Sequence, residues 1–197
     1  MRNAYALLGL AFVIVFGGAY LLFEKAEAPS FLDDNETPMS LTLTSSAFLN
    51  NAGIPSEYTC DGGNTNPPLT ISGVPEGTKS LVLVMDDPDI PEQIKKERGI
   101  TKFNHWTVYN LPPETEAIAP GAVFHNMGVN GRGTAAYIGP CPPPDMEPLT
   151  HRYIFRLYAL SGTLNFIKAP TLDDVEEAAK GMMLEKAELI GTYSRAN

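Results

Sequence analysis

Two proline- and glycine-rich stretches, CDGGNTNPP from Cys60 to Pro68 and PCPPPDMEP from Pro140 to Pro148, divide the chain. Neither can continue a β-ladder or a helix, because proline lacks the amide donor and glycine carries extra backbone freedom. With 17 prolines and 17 glycines in 197 residues, a helical bundle is a poor fit and a turn-rich, mostly β structure is expected. Between the breaks lie short runs of branched and aromatic residues, Leu41 to Thr44, Ser80 to Met85, Phe103 to Asn110 and His151 to Leu160, which predict strands. Near the C-terminus Thr171 and Asp174 resemble a capping pair. Leu172, Val175, Ala179, Met182 and Met183 then recur at helical spacing before Gly191, predicting a helix packed on a sheet. Pro91 to Arg98, followed by Gly99, predicts a short helix inside a loop, with proline at its start and glycine at its end.

The N-terminus has a different character. Ala4 to Phe23 contains no charged residue, a length that at about 1.5 Å per residue matches the roughly 30 Å of a hydrocarbon core. The reading is an N-terminal transmembrane helix within residues 1–23; a cleaved secretory signal and a buried core helix are the alternatives. Residues 24–38 lack an apolar period and predict a flexible tether, leaving 39–197 as the folded domain. Arg2 precedes the apolar run, favouring a cytoplasmic N-terminus and a domain outside the cytoplasm. The expected location is the cell membrane, single-pass, or a secreted or periplasmic state after cleavage.

Charge and cysteine content exclude other classes. Lys and Arg total 14 against 23 Asp and Glu, a net charge of −9, which argues against a nucleic-acid partner. From Phe31 onward the balance is 12 − 21 = −9, so electrostatic adsorption of the domain to anionic lipid is disfavoured. Two cysteines make neither a disulfide-rich scaffold nor a four-thiolate zinc site.

Three segments concentrate unusual side chains. Asp86-Asp87-Pro88-Asp89 places carboxylates at the end of a strand, as a functional group or simply as a turn. Asn104-His105-Trp106 sets the chain's one tryptophan beside one of three histidines, and that histidine is either a satisfied structural residue or a ligand group. Two-residue alternation puts His105 with Phe103, Thr107 and Tyr109, and Trp106 on the other face with Val108. In the third segment, Tyr137-Ile138-Gly139-Pro140-Cys141-Pro142-Pro143-Pro144 leads into His151-Arg152-Tyr153. Alternation there places His151 and Tyr153 with Phe155 and Leu157, and Arg152 opposite with Arg156. The proline run is either a surface loop or the stiff wall of a cavity.

Together these segments resemble the phosphatidylethanolamine-binding protein (PEBP) family, whose bacterial and archaeal members are called Raf-kinase-inhibitor-like proteins. The resemblance rests on Tyr58-Thr59-Cys60-Asp61-Gly62, Asn66-Pro67-Pro68-Leu69, Asp87-Pro88-Asp89, His105-Trp106, Gly139-Pro140-Cys141-Pro142-Pro143 and His151-Arg152-Tyr153, across roughly Leu41 to Arg195. It implies a mostly β fold with peripheral α-helices, two antiparallel β-sheets, and a small anion pocket at one end. The implied ligand-binding residues are Asp87, His105, Gly139, Pro142, Pro143, His151 and Tyr153. In this reading His105 and His151 offer N–H donors, Tyr153 an O–H and Gly139 a backbone N–H to a phosphate-like anion or phosphoethanolamine-type headgroup. Asp87 orients a histidine or accepts from an ethanolamine ammonium, Trp106 and the Pro142-Pro143 wall exclude water, and Arg152 serves structure or a buried ion pair.

Neither a cofactor nor catalytic residues are expected. Pro91 to Arg98 is either a solvated helix or a lid whose Lys95, Lys96 and Arg98 form a positive rim. Cys60 and Cys141 form a disulfide or remain buried thiols. A module that inhibits a protein partner such as a protease or kinase is the main alternative function. A metal-dependent hydrolase using Asp87, His105 and His151 is a further one.

Overall fold

Every residue of the strand Ser80–Asp87 is buried, which marks it as the centre of the architecture. The computed structural model describes residues 40–195. In chain order the elements are β1 (Thr42–Thr44), β2 (Ala52–Gly53), β3 (Leu69–Ser72), β4 (Ser80–Asp87), α1 (Glu92–Arg98), β5 (Phe103–Leu111), β6 (Ala117–Ile118), β7 (Thr150–Leu160), α2 (Leu172–Ala179) and β8 (Met183–Ser194). They form a three-stranded sheet, β1-β3-β6, and a five-stranded sheet, β2-β8-β7-β4-β5. The inner core joins both sheets. Leu43, Leu69, Ile71 and Ile118 of the smaller sheet belong to one buried cluster with Leu81, Leu83, Met85, Trp106, Phe155 and Leu157 of the larger.

The alternate residues of β4 point the other way. Val82 and Val84 pack with Tyr158, Leu160, Leu172, Val175 and Ala179, so α2 covers the outer face of the larger sheet. That helix begins at Thr171 with a reciprocal capping box: the Thr171 hydroxyl accepts from the Asp174 N–H, and the Asp174 carboxylate accepts from the Thr171 N–H.

Three expectations are corrected. The helical period running through Met182 and Met183 stops at Ala179, and Met183 opens β8, which pairs with β7 along nearly its whole length. Helix-forming Met, Leu, Glu and Lys sit in a strand because that pairing buries Ala187 and Leu189, a tertiary gain that outweighs local propensity. Next, the larger sheet is not wholly antiparallel, since β2 runs parallel to β8. These segments are remote in sequence, so no hairpin dictates their direction.

The last correction concerns the membrane. Helices α1 and α2 have seven and eight residues, far short of the roughly 20 needed to span hydrocarbon. Among the described residues no helix is long and apolar enough to cross a membrane. The expected transmembrane helix within residues 1–23 and the tether over 24–38 lie outside the described residues. Over the described residues the fold is the two-sheet domain with no helix able to cross a membrane, and the single-pass location that rested on such a helix is not retained.

The two proline-rich loops are joined. Cys60 and Cys141 form a disulfide with Cα atoms 5.5 Å apart, and the Cys60 N–H donates to the Pro140 carbonyl at 3.0 Å. The bond closes a loop spanning a sequence separation of 81. A Cys60→Ser/Cys141→Ser variant is expected to lose roughly 4–5 kcal/mol of unfolding free energy by the chain-entropy relation. Urea titrations of the oxidised protein and the variant check this through a lower midpoint.

Candidate functional site

Because β4 runs antiparallel to both β5 and β7, its C-terminal end meets the N-terminal ends of its two neighbours. Asp87 closes β4 opposite Phe103, and His151 and Tyr153 open β7. These ends border a cavity of ≈ 180 Å³, small beside the roughly 300–1,000 Å³ of sites for drug-sized ligands. Asp87, His105, His151 and Tyr153 supply its polar wall, Pro142 and Pro143 a second side, and Ile90, Ile94, Phe103 and Ile138 apolar surface. Six of the seven residues expected from sequence thus line one cavity.

Gly139 is the seventh, and its position is different. Its N–H donates to Asn64 Oδ1 at 2.8 Å, so it is not available to an anion. A Cβ at this position would lie 2.6 Å from the Tyr58 carbonyl oxygen and 2.7 Å from Thr59 Cα, which explains the glycine by close backbone approach. The residue fastens the Ile138–Pro143 wall to the Tyr58–Asn64 loop, helped by the Tyr137 hydroxyl donating to the Tyr58 carbonyl at 2.8 Å.

Trp106 is also displaced from its expected role. The β4–β5 register shifts between Met85 and Asp86, pairing Met85 with Trp106 and Asp86 with Asn104, and leaving His105 unpaired. This bulge breaks the alternation. His105 and Trp106 both lie on the inner side, the former against Tyr153 with ring centroids 5.1 Å apart, the latter in the inner core against Tyr137 at 5.5 Å. Trp106 does not line the cavity; Phe103, with its ring 4.9 Å from His105, takes the aromatic place there.

The Asp-Pro-Asp segment is both turn and site. Asp87 Oδ1 accepts from the Asp89 N–H at 2.8 Å, while Asp87 Oδ2 is 2.6 Å from His151 Nδ1. Asp89 accepts two bonds from the Arg152 guanidinium at 2.7 Å and one from the Arg152 N–H at 2.9 Å. One turn thereby pins the end of β4 to the start of β7. Arg152 points away from the cavity as expected, but its ion pair is exposed rather than buried. Its bonds hold the Asp89 carboxyl below the usual carboxylate range. Arg156, on the same face, pairs with buried Asp86 and with Glu188.

The two histidines present opposite chemistry. His105 Nδ1 lies 2.8 Å from the Ile138 carbonyl, which only accepts, so Nδ1 carries the proton. Burial is the main cause pushing the His105 pKa down to about 4. A neutral ring results, and its Nε2 is an acceptor rather than the expected donor. His151 gives Nδ1 to Asp87, and its buried Nε2 has no partner. The buried Tyr153 hydroxyl is likewise unpartnered. Burial, with the Asp87 charge added, pushes that phenol far above its ordinary range and keeps it a protonated donor.

Arg132 on the cavity rim escaped the sequence reading, because no motif or spacing connects its loop with the strand ends. Arg98, expected as part of a positive rim, does line the cavity; Lys95 pairs with Glu92 instead. Among the described residues no three His, Cys, Asp or Glu side chains are placed together to hold a metal ion.

A small cavity at the strand ends of a two-sheet β domain, with two histidines, a tyrosine and an aspartate set among apolar residues, is the class of site this architecture defines. The family model for phosphatidylethanolamine-binding protein matches residues 44–194. A UPF0098 protein of Methanothermobacter thermautotrophicus is 40% identical over 165 residues, covering 79% of this chain and 99% of its own length. Another from Chlamydia pneumoniae is 41% identical over 157 residues, covering 79% and 100%. In structure, a putative PEBP homolog from Chlamydia trachomatis is similar with a TM-score of 0.73 at 39% identity, over 80% of this chain and 99% of that one. Escherichia coli YbcL, described as a new member of the mammalian PEBP family, gives 0.69 at 27% identity, with the same coverage of 80% and 99%. The chain belongs to the phosphatidylethanolamine-binding protein family.

The His105 environment carries a pH signature. A folded pKa of about 4 against an ordinary 6.5 means that the unfolded chain binds the proton more readily. The stability contributed by the neutral ring is complete above about pH 6.5 and is lost as pH falls towards 4, amounting to about 3 kcal/mol. His105→Asn removes this dependence while keeping a donor near Ile138. The stability gap between wild type and variant, measured by urea unfolding at pH 7 and pH 4, is expected to shrink by about that amount on acidification.

Proposed function

We propose that this domain holds a phosphate-containing small molecule or headgroup in the cavity between Asp87, His105, His151 and Tyr153, and does not transform it. The observation that carries the reading is the pair of buried, unpartnered polar atoms on the cavity wall, His151 Nε2 and Tyr153 Oη. Buried polar groups of this kind are nearly always satisfied, and a ligand oxygen satisfies both. With Nδ1 bonded to Asp87, His151 turns its Nε2 to the anion alongside the Tyr153 O–H, which donates. Asp87 holds the His151 ring in place, and His105 Nε2 accepts from any proton the ligand brings. The small volume favours a headgroup over an acyl chain. Binding without turnover is supported by the absence of an activated Ser or Cys nucleophile from the residues lining the cavity; its cysteine, Cys141, is held in the disulfide.

Isothermal calorimetry with inorganic phosphate and phosphoethanolamine tests the reading. Wild type is expected to bind at least one of them and to melt higher in its presence. Tyr153→Phe removes a single hydrogen bond to a charged group and is expected to weaken binding about 10–100-fold. The ³¹P spectrum of the recovered ligand is expected to be unchanged. Absence of both heat and thermal protection in wild type sinks the anion pocket; a new phosphorus resonance sinks binding without turnover.

A further inference from the structure

Beyond the strand ends, the mouth of the cavity is cationic although the protein is strongly acidic. Arg98, the last residue of α1, and Arg132, in the loop before β7, both line it, and among the described residues neither forms an ion pair. The two segments meet at the rim, where the Arg98 guanidinium approaches the Gly131 carbonyl at 3.5 Å. Arg98 also borders a second, more open groove of ≈ 550 Å³, so it has room to meet a substituent that the inner pocket cannot hold. The groove's other charged lining residues are Lys102 and Asp173, and Lys102 is occupied by Asp86 and Glu176.

The pocket interior offers little to a ligand ammonium. Asp87 is its one carboxylate, and each oxygen already has a partner, the Asp89 N–H on Oδ1 and His151 on Oδ2. A zwitterionic phosphoethanolamine would set its ammonium near two guanidinium groups with no unclaimed carboxylate lining the inner pocket, Asp173 lying along the outer groove. A ligand with a second negative group would meet those guanidiniums favourably.

We propose that Arg98 and Arg132 are specificity-determining residues that select phosphomonoesters bearing a further anionic group, such as a carboxylate, over zwitterionic phosphoethanolamine. The inference rests on the phosphate-pocket reading above. The phosphoryl group sits against Tyr153 and His151, and the second anion lies at the mouth between the two arginines. A monoester suits His105, whose Nε2 accepts from a P–OH group that a phosphodiester lacks.

O-phosphoserine and phosphoethanolamine differ by one carboxylate and make a direct test. Calorimetry at low ionic strength is expected to show O-phosphoserine bound more than threefold tighter, with the ratio falling in 0.5 M salt. In the Arg98→Gln/Arg132→Gln variant the ratio is expected to drop to threefold or less, with melting temperature near wild type because both side chains are exposed. A wild-type ratio of threefold or less, or a larger ratio persisting in the variant, overturns the inference. Glycerophosphoserine carries the diester linkage of a lipid headgroup; if it binds as tightly as O-phosphoserine, the monoester assignment fails. Inorganic phosphate serves as the control. If it binds while the ratio is flat, selectivity alone is refuted; if neither phosphate nor any ester binds, the pocket reading falls and this inference with it.

Discussion

A strand buried on both faces has little freedom of register, and β4 is buried at every position. Its inner Leu81, Leu83 and Met85 enter the intersheet core while Val82 and Val84 meet α2, so slippage by one residue would exchange the two sets and place Asp86 in the core. Apolar packing along β4 thus determines where its terminal carboxylate lies. Antiparallel pairing on both sides then brings the starts of β5 and β7 to Asp87, and with them His105, His151 and Tyr153. The polar site is positioned by hydrophobic register.

The electrostatics of the site follow from local partners. Two histidines line the same small cavity, yet one faces a carbonyl and the other a carboxylate. Burial keeps His105 neutral, and the Ile138 carbonyl fixes its proton on Nδ1 and leaves Nε2 to accept, whereas Asp87 bonds to His151. Tyr153 lies against both rings and remains a donor. Donor and acceptor are therefore offered side by side, the arrangement on which the proposed anion reading rests. The arginines at the mouth add attraction without entering the buried network.

Much of this was legible in the linear chain because short motifs carry steric information. Asp87-Pro88-Asp89 reads as a strand terminator, His151 and Tyr153 alternate onto one face, and the resemblance brings these pieces into one pocket. Other features depended on partners remote in sequence. Gly139 looked like a ligand donor until Asn64, from another loop, accepted its N–H. Trp106 looked like a pocket wall, but one bulge turned it into the core and left Phe103 in its place. The helical spacing read through Met182 and Met183 gives way after Ala179, and pairing with β7 makes Met183–Ser194 a strand. Arg132 has no local signature at all.

By itself the sequence determined the interruptions, the residue types at the strand ends, the cap at Thr171 and the family to which the domain belongs. Each depends on local sterics or on short-range order along the chain. Tertiary structure alone decided which partner each histidine faces, which backbone N–H groups are already taken, where the alternation breaks, and which arginines reach the mouth. Those properties depend on burial and on atoms contributed by distant segments, and neither exists until the sheets have closed around the pocket.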